Sequence, residues 1–212
     1  LGGPGALASM PTGWCAAVER ELDRIRLAGV PGRPELEGLT LRAAATATAR
    51  PGPQLVLDLI AQTAGAVTAV FAQPATSTED DVRALLRDRR HVGGSDGIVV
   101  GGHPHPRAWG TFARYLGRHV RELGDWTWEQ AAVHLAASPG ARFGLGGRGR
   151  VRAGAPADLV LVDPERVADV ATYDDPRRPA VGVDDVWVDG VRVLRDGALT
   201  PDRPGRVLAW QD

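Results

Sequence analysis

Two short stretches of this 212-residue chain hold residues that could do chemistry. The first is Gly93-Gly94-Ser95-Asp96-Gly97, a carboxylate flanked by glycines whose bare backbone lets a metal ion or substrate come close. A carboxylate in such a place can take up and return a proton. Ser-Asp-Gly is equally ordinary turn chemistry, in which the aspartate only braces its own backbone. The second stretch contains Arg107, whose planar guanidinium can grip a carboxylate with two parallel hydrogen bonds. The same group could instead form an ion pair that ties down a loop.

Other chemistry-bearing residues are sparse. His103-Pro104-His105 has the form of a metal-binding His-x-His pair, and its proline suits a loop. Cys15 is the only cysteine, so an internal disulfide and a cysteine-only metal site are both excluded. His119 and His134 fall within predicted helices as surface or packing residues, and His91 precedes a predicted strand without an evident partner. Trp109 and Trp187 read as packing residues, Trp109 close enough to Arg107 to border a pocket. The acidic run Glu79 to Asp81 reads as a helix start.

These residues need elements to position them. Gly and Pro punctuate Leu1 to Gly13, and Val18, Leu22 and Ile25 share a face of a predicted helix over 15–27. Further helices are expected over 40–49, 54–64, 111–123 and 127–136, the last opened by Thr127 with Gln130 three residues on and closed at Ser138-Pro139-Gly140. A strand over 67–71, a helix capped by Ser77 or Thr78 and ending near Arg90, and a brief strand over 91–94 spell a parallel α/β unit. Asp158 to Asp163 reads as a buried strand, and Asp189-Gly190 between Val186-Trp187-Val188 and Val191-Arg192-Val193 signals a hairpin. A boundary is expected near Gly146, with α/β structure in 1–146 and mainly β in 147–212.

Gly94-Ser95-Asp96-Gly97, followed by His105-Pro106-Arg107-Ala108-Trp109-Gly110-Thr111-Phe112 and Arg114-Tyr115-Leu116-Gly117-Arg118, resembles the signature of N-acyl-D-amino-acid deacylases. Gly154-Ala155-Pro156-Ala157-Asp158-Leu159-Val160 with the Val188-Asp189-Gly190 turn is similar to the C-terminal segment of the amidohydrolase superfamily. Leu27-Ala28-Gly29-Val30-Pro31 with Glu35-Leu36-Glu37-Gly38 is a weaker match. The resemblance implies the C-terminal part of a metal-dependent (β/α)8 barrel followed by a small β-rich domain. A whole barrel needs about 250 residues, so only its last units are expected here.

The same resemblance implies a zinc-dependent hydrolase that cleaves N-acyl-D-amino acids to a carboxylate and a D-amino acid. It places Asp96 at the rim of the last barrel strand, as a metal-site residue that takes the proton of the attacking water and passes it to the departing amine. It makes Arg107 the residue that positions the substrate carboxylate. The family's His-x-His lies on its first barrel strand, so His103 and His105 are expected to shape the loop or line the site, and Cys15 to be a bystander thiol. Zinc would be bound mostly by residues outside this chain, which alone should be inactive. Another (cyclic) amide hydrolase of the superfamily, or a non-catalytic remnant lacking the metal site, are the other readings.

Composition sets the outer limits. With 25 basic and 26 acidic residues the formal net charge is -1, which gives no field to attract nucleic acid or an anionic membrane. Every basic residue other than histidine is arginine, so each functional arginine needs a local reason. No apolar run approaches the roughly 18 residues of a membrane span, and with one cysteine a reducing cytoplasm is the expected setting. The expected partners are a small N-acyl amino acid and either a missing N-terminal barrel portion or an oligomeric partner. An incomplete barrel should also expose apolar strand edges and helix faces.

Overall fold

In a computed structural model, which describes residues 13–71 and 78–208, the chain falls into two units. One comprises residues 1–76, 97–108 and 172–177, the other 77–96, 109–171 and 178–212. The reading of Leu1 to Pro11 and the capping role of Ser77 lie outside the described residues.

In the first unit, α1 (Trp14–Glu21) stops earlier than its apolar spacing suggests. Ile25, Arg26 and Leu27 alternate buried, half-buried, buried, and this two-residue period forms β1 (Ile25–Gly29). The helical reading of Ile25 is therefore overturned by the strand period of its neighbours. β1 pairs antiparallel with β2 (Thr68–Phe71), Ile25 opposite Phe71 and Leu27 opposite Ala69, with a register shift before Gly29. Between the strands, α2 (Leu41–Thr48) opens on Thr40, whose hydroxyl accepts the Ala43 N–H at 3.2 Å, and α3 (Gly52–Gln62) carries a proline in its first turn. Leu22, Leu27, Val30, Leu36, Leu41 and Leu59 are almost wholly removed from solvent and form the core of this unit.

The second unit begins with α4 (Glu79–Leu86), where Thr78 and Asp81 form a reciprocal capping box. Glu79 does more than begin the helix, because its carboxylate also accepts two hydrogen bonds from the Arg118 guanidinium. α5 (Arg107–Arg114) runs directly into a wider π-type stretch, Tyr115–Glu122, and α6 (Trp128–Ala132) likewise continues through a π-type stretch, Val133–Ala137, into α7 (Ser138–Arg142). The expected stop at Ser138-Pro139-Gly140 is not made. Pro139 opens α7, and the helical backbone of Ala137 and Ser138 runs into it without a break.

The strand expected over 91–94 does not form. The Gly93 N–H is instead bonded to the His134 carbonyl at 3.1 Å, and residues 91–100 carry no helix or strand. Among the described residues all strand pairing is antiparallel, so the parallel strand–helix–strand unit is not seen.

The rest of the second unit is a four-stranded sheet in the order β3 (Leu159–Val162), β4 (Val183–Val188), β5 (Val191–Arg195), β6 (Ala198–Leu199). β3 is not the buried strand expected, since Leu159, Val160 and Leu161 are exposed. The β4–β5 turn is the expected Asp189-Gly190 pair. Both residues take left-handed backbone, φ 50° and 82°, as the tight hairpin turn requires. Against the helices, Leu86, Val120, Trp126 and Ala131 form a second core. No helix among the described residues is long and apolar enough to cross a membrane.

Candidate functional site

Asp96 lies in the irregular segment 91–100, exposed, with left-handed backbone at φ 45°. L-residues other than Asn and Asp seldom take this conformation, so an aspartate between Ser95 and Gly97 fits the turn locally. Asp96 belongs to the second unit, and Arg107, His103 and His105 belong to the first.

The segment from Gly97 to Arg107 is fastened at successive points. Gly101 has φ 84°, and a Cβ there would meet the Ala28 carbonyl oxygen at 2.2 Å, so only glycine lets this backbone lie against β1. The His103 N–H donates to the Ala28 carbonyl at 2.9 Å, and the His103 ring packs on the Cα of Gly38. Glu37 bridges the two pieces of chain, one carboxylate oxygen accepting the Val30 N–H at 2.8 Å and the other the Gly102 N–H at 2.9 Å. Arg177 donates to the carbonyls of Gly101 (2.6 Å) and Val99 (3.2 Å).

His105 closes the segment. Its Nδ1 accepts the backbone N–H of Arg107 at 3.1 Å, so Nδ1 carries no proton. Nε2 is then the N–H bearing atom and donates to the Tyr173 hydroxyl at 3.0 Å, with the two rings edge to face at 5.2 Å. Both ring nitrogens are committed to loop structure. Arg107 follows as the first residue of α5, half-buried.

Among the described residues no group of three or more His, Cys, Asp or Glu side chains is arranged to hold a metal ion. Cys15 is an exposed free thiol. His119 and His134 are both buried: His119 is bonded to the Asp125 carboxylate, and the His134 ring stacks on Trp126 at 4.8 Å with its Nδ1 2.7 Å from the His91 carbonyl oxygen. His91 has neighbours after all, packed 5.5 Å from the Trp126 ring, where burial and then the nearby His134 hold its pKa below the ordinary histidine value.

The two halves of the C-terminal motif, far apart in sequence, meet in the second unit. The Asp158 carboxylate accepts the Asp189 N–H at 2.7 Å and pairs with Arg148, while the Gly190 N–H reaches the Ala157 carbonyl at 3.0 Å. The Asp189 bond first, with Arg148 beside it, holds the Asp158 carboxyl below the usual carboxylate range against the opposing effect of burial.

Glu37, Tyr173 and Arg177 have no counterpart in the site expected from sequence. Glu37 carries a local signal, an acid beside Gly38 within a loop motif. Tyr173 and Arg177 reach the segment from about 70 residues downstream and carry none.

Residues 15–194 match the model of the amidohydrolase family, and the chain belongs to that family. Within it the likeness is to D-aminoacylases. The D-aminoacylase of Alcaligenes xylosoxydans xylosoxydans is 39% identical over 193 residues, covering 88% of this chain and 38% of that protein. A solved D-aminoacylase superposes with a TM-score of 0.78 at 36% identity, over 87% of this chain and 37% of the other. An N-acyl-D-glutamate deacylase from Bordetella bronchiseptica, solved with zinc and a phosphonate mimic of the tetrahedral intermediate, superposes with a TM-score of 0.76 at 36% identity, over 92% and 39%. The chain thus spans under two-fifths of the length of these relatives. Its fold is that of the corresponding part of an amidohydrolase, the closing portion of the barrel with a small β-rich segment.

Proposed function

We propose that this chain supplies the C-terminal part of a zinc-dependent hydrolase that cleaves the amide of N-acyl-D-amino acids, giving a carboxylate and a free D-amino acid. The observation that carries this reading is the 39% identity to a D-aminoacylase across 88% of the chain. That span takes in Asp96 and Arg107 with the segment between them.

Asp96 is the general base and acid. Its carboxylate takes a proton from the water whose oxygen bonds to the acyl carbon, and returns that proton to the nitrogen as the C–N bond breaks. Asp96 stands on an irregular, glycine-flanked segment and is exposed as a residue. Arg107 grips the carboxylate next to the scissile amide and so orients the substrate. The described residues do not by themselves assemble a zinc site, so the ligands besides Asp96 are assigned to the remainder of the protein. The same reading keeps the boundary near Gly146 between the last barrel units and the β-rich domain, and places the enzyme in the cytoplasm.

The test uses the full-length protein, assayed on N-acyl-D-amino acids, their L-enantiomers and cyclic amides, with zinc content measured beside activity. The expected result is hydrolysis of the D-series, and a fall in kcat of about 10²–10⁴-fold in Asp96→Asn. Turnover of cyclic amides with none of the acylated D-series would reject the reading, and so would an Asp96→Asn variant as active as wild type.

A further inference from the structure

The fastening of the segment between Asp96 and Arg107 assigns a role to a residue outside the reacting groups. Glu37 stands on a loop after β1 and places one oxygen on each of two chain pieces, the Val30 N–H at the end of β1 and the Gly102 N–H in the segment. Around it the backbones of Ala28, Gly29 and Gly101 are already in contact, and the His103 N–H is bonded to the Ala28 carbonyl. Arg177 holds the same segment through the Val99 and Gly101 carbonyls. The His105 ring then holds the Arg107 N–H, so the backbone from residue 99 to residue 107 has little freedom left.

We propose that Glu37 is a positioning residue for substrate recognition: it fixes the segment from which Arg107 projects, and thereby sets the preference for amides that carry a carboxylate beside the scissile bond. The role rests on the deacylase reading above. A carboxylate suits the task because each of its two oxygens accepts a backbone N–H, whereas glutamine has one acceptor oxygen and would turn an NH2 toward the second N–H. Arg177 acts on the same segment in the same sense. Its own side chain is exposed, so its substitution spares the core.

The experiment compares full-length wild type with Glu37→Gln, Arg177→Gln, Arg107→Ala and the Glu37→Gln/Arg107→Ala double variant. Each is assayed on an N-acyl-D-amino acid and on the matching N-acyl amine in which hydrogen replaces the carboxylate, with thermal midpoints measured alongside. The expected result for Glu37→Gln is a KM for the acid raised about 10-fold or more, with kcat changed less than about 3-fold and kcat/KM for the amine unchanged. Arg177→Gln moves the same parameter in the same direction. The double variant is no worse on the acid than Arg107→Ala alone, since the positioning then has nothing to position. Equal losses on both substrates, additive losses in the double variant, or a lowered thermal midpoint with wild-type kinetics would each make Glu37 a purely structural residue and overturn the proposal. Wild type active on the acid with an unaffected Glu37→Gln removes only the positioning role. Wild type inactive on the acid removes the deacylase reading, and the positioning role with it.

Discussion

The Nδ1 of His119 lies 2.9 Å from Oδ2 of Asp125, and the Asp125 side chain is wholly buried. Because an ionised carboxylate only accepts, Nδ1 is the protonated nitrogen. Arg83 bonds both carboxylate oxygens at 3.0 and 3.1 Å, and Arg87 adds a further bond at 2.5 Å. Burial alone would raise the Asp125 pKa. The bonds from His119, Arg83 and Arg87 together outweigh it and hold the carboxyl below its ordinary value.

That balance fixes how Asp125 contributes to stability across pH. In the unfolded chain the carboxyl titrates near about 3.9, so the unfolded state binds the proton first as pH falls. The contribution is complete above that pH and is lost progressively below it, as the pH drops through the lowered folded value. Asp125→Asn should cost about 2–3 kcal/mol at neutral pH, at the low end for a broken buried pair because Arg83 and Arg87 keep partial access to water. The check is urea denaturation between pH 3 and 7. Wild type should lose its advantage over Asp125→Asn toward the acid end, and parallel curves would contradict the assignment.

Gly117 offers a purely steric prediction. It lies in the stretch after α5, and a Cβ there would meet the Val167 carbonyl oxygen at 2.4 Å. Val167 is fully buried, and its carbonyl also accepts from Arg121 at 2.8 Å, so this neighbour has little room to move. Overpacking of such a contact costs about 1–3 kcal/mol, which more than cancels the gain alanine brings to a helix. Gly117→Ala should therefore lower the urea midpoint without changing the m-value, and a stabilised variant would show that Val167 yields.

How far the sequence revealed this fold depended on the range of the signal. Thr127 with Gln130 and Asp189-Gly190 at the hairpin are local devices that satisfy backbone groups within four residues, and both form as read. Ile25 was misleading because it fits a helical stripe with Val18 and Leu22 and equally a strand alternation with Leu27. The strand was decided by pairing with β2 more than 40 residues away. Gly93-Gly94 failed as a strand for a similar reason, since the His134 carbonyl takes the Gly93 N–H. The π-type stretches around His119 and His134 left no mark that residue spacing could reveal. In the site, Asp96 and Arg107 were legible through contiguous motifs. The clamp on the segment between them was not: Glu37 stood in a weak motif that implied no role, Arg177 in none, and both act through backbone groups, which any sequence supplies.

Arg107 makes a prediction that separates charge from geometry. A guanidinium meets a carboxylate with two parallel bonds, whereas an ammonium offers a single point of charge. In the full-length protein, Arg107→Lys should raise KM for the N-acyl-D-amino acid by about 10-fold, and Arg107→Ala by more, as expected for charge-assisted bonds of about 1.5–3 kcal/mol. Turnover at saturation should change far less than it does in Asp96→Asn. If lysine restores wild-type KM, two-pronged recognition at this position is excluded.

β3 gives the last prediction, which concerns the chain in isolation. The strand pairs only with β4 among the described residues, and its Val160 and Leu161 are 60% and 51% exposed. β6, at the other end of the sheet, is only two residues long, a length that blunts an edge. β3 has no such protection: its four residues are Leu-Val-Leu-Val without a charge, and Asp158 at its start is already engaged by Arg148 and Asp189. An apolar edge of this kind is a template for pairing with another strand. The 212-residue chain on its own should therefore self-associate in sedimentation velocity, and Val160→Lys should shift it toward monomer, because a charge on a solvent-facing edge position opposes strand addition. A monodisperse monomer before any substitution would show that the exposed face of β3 is not adhesive.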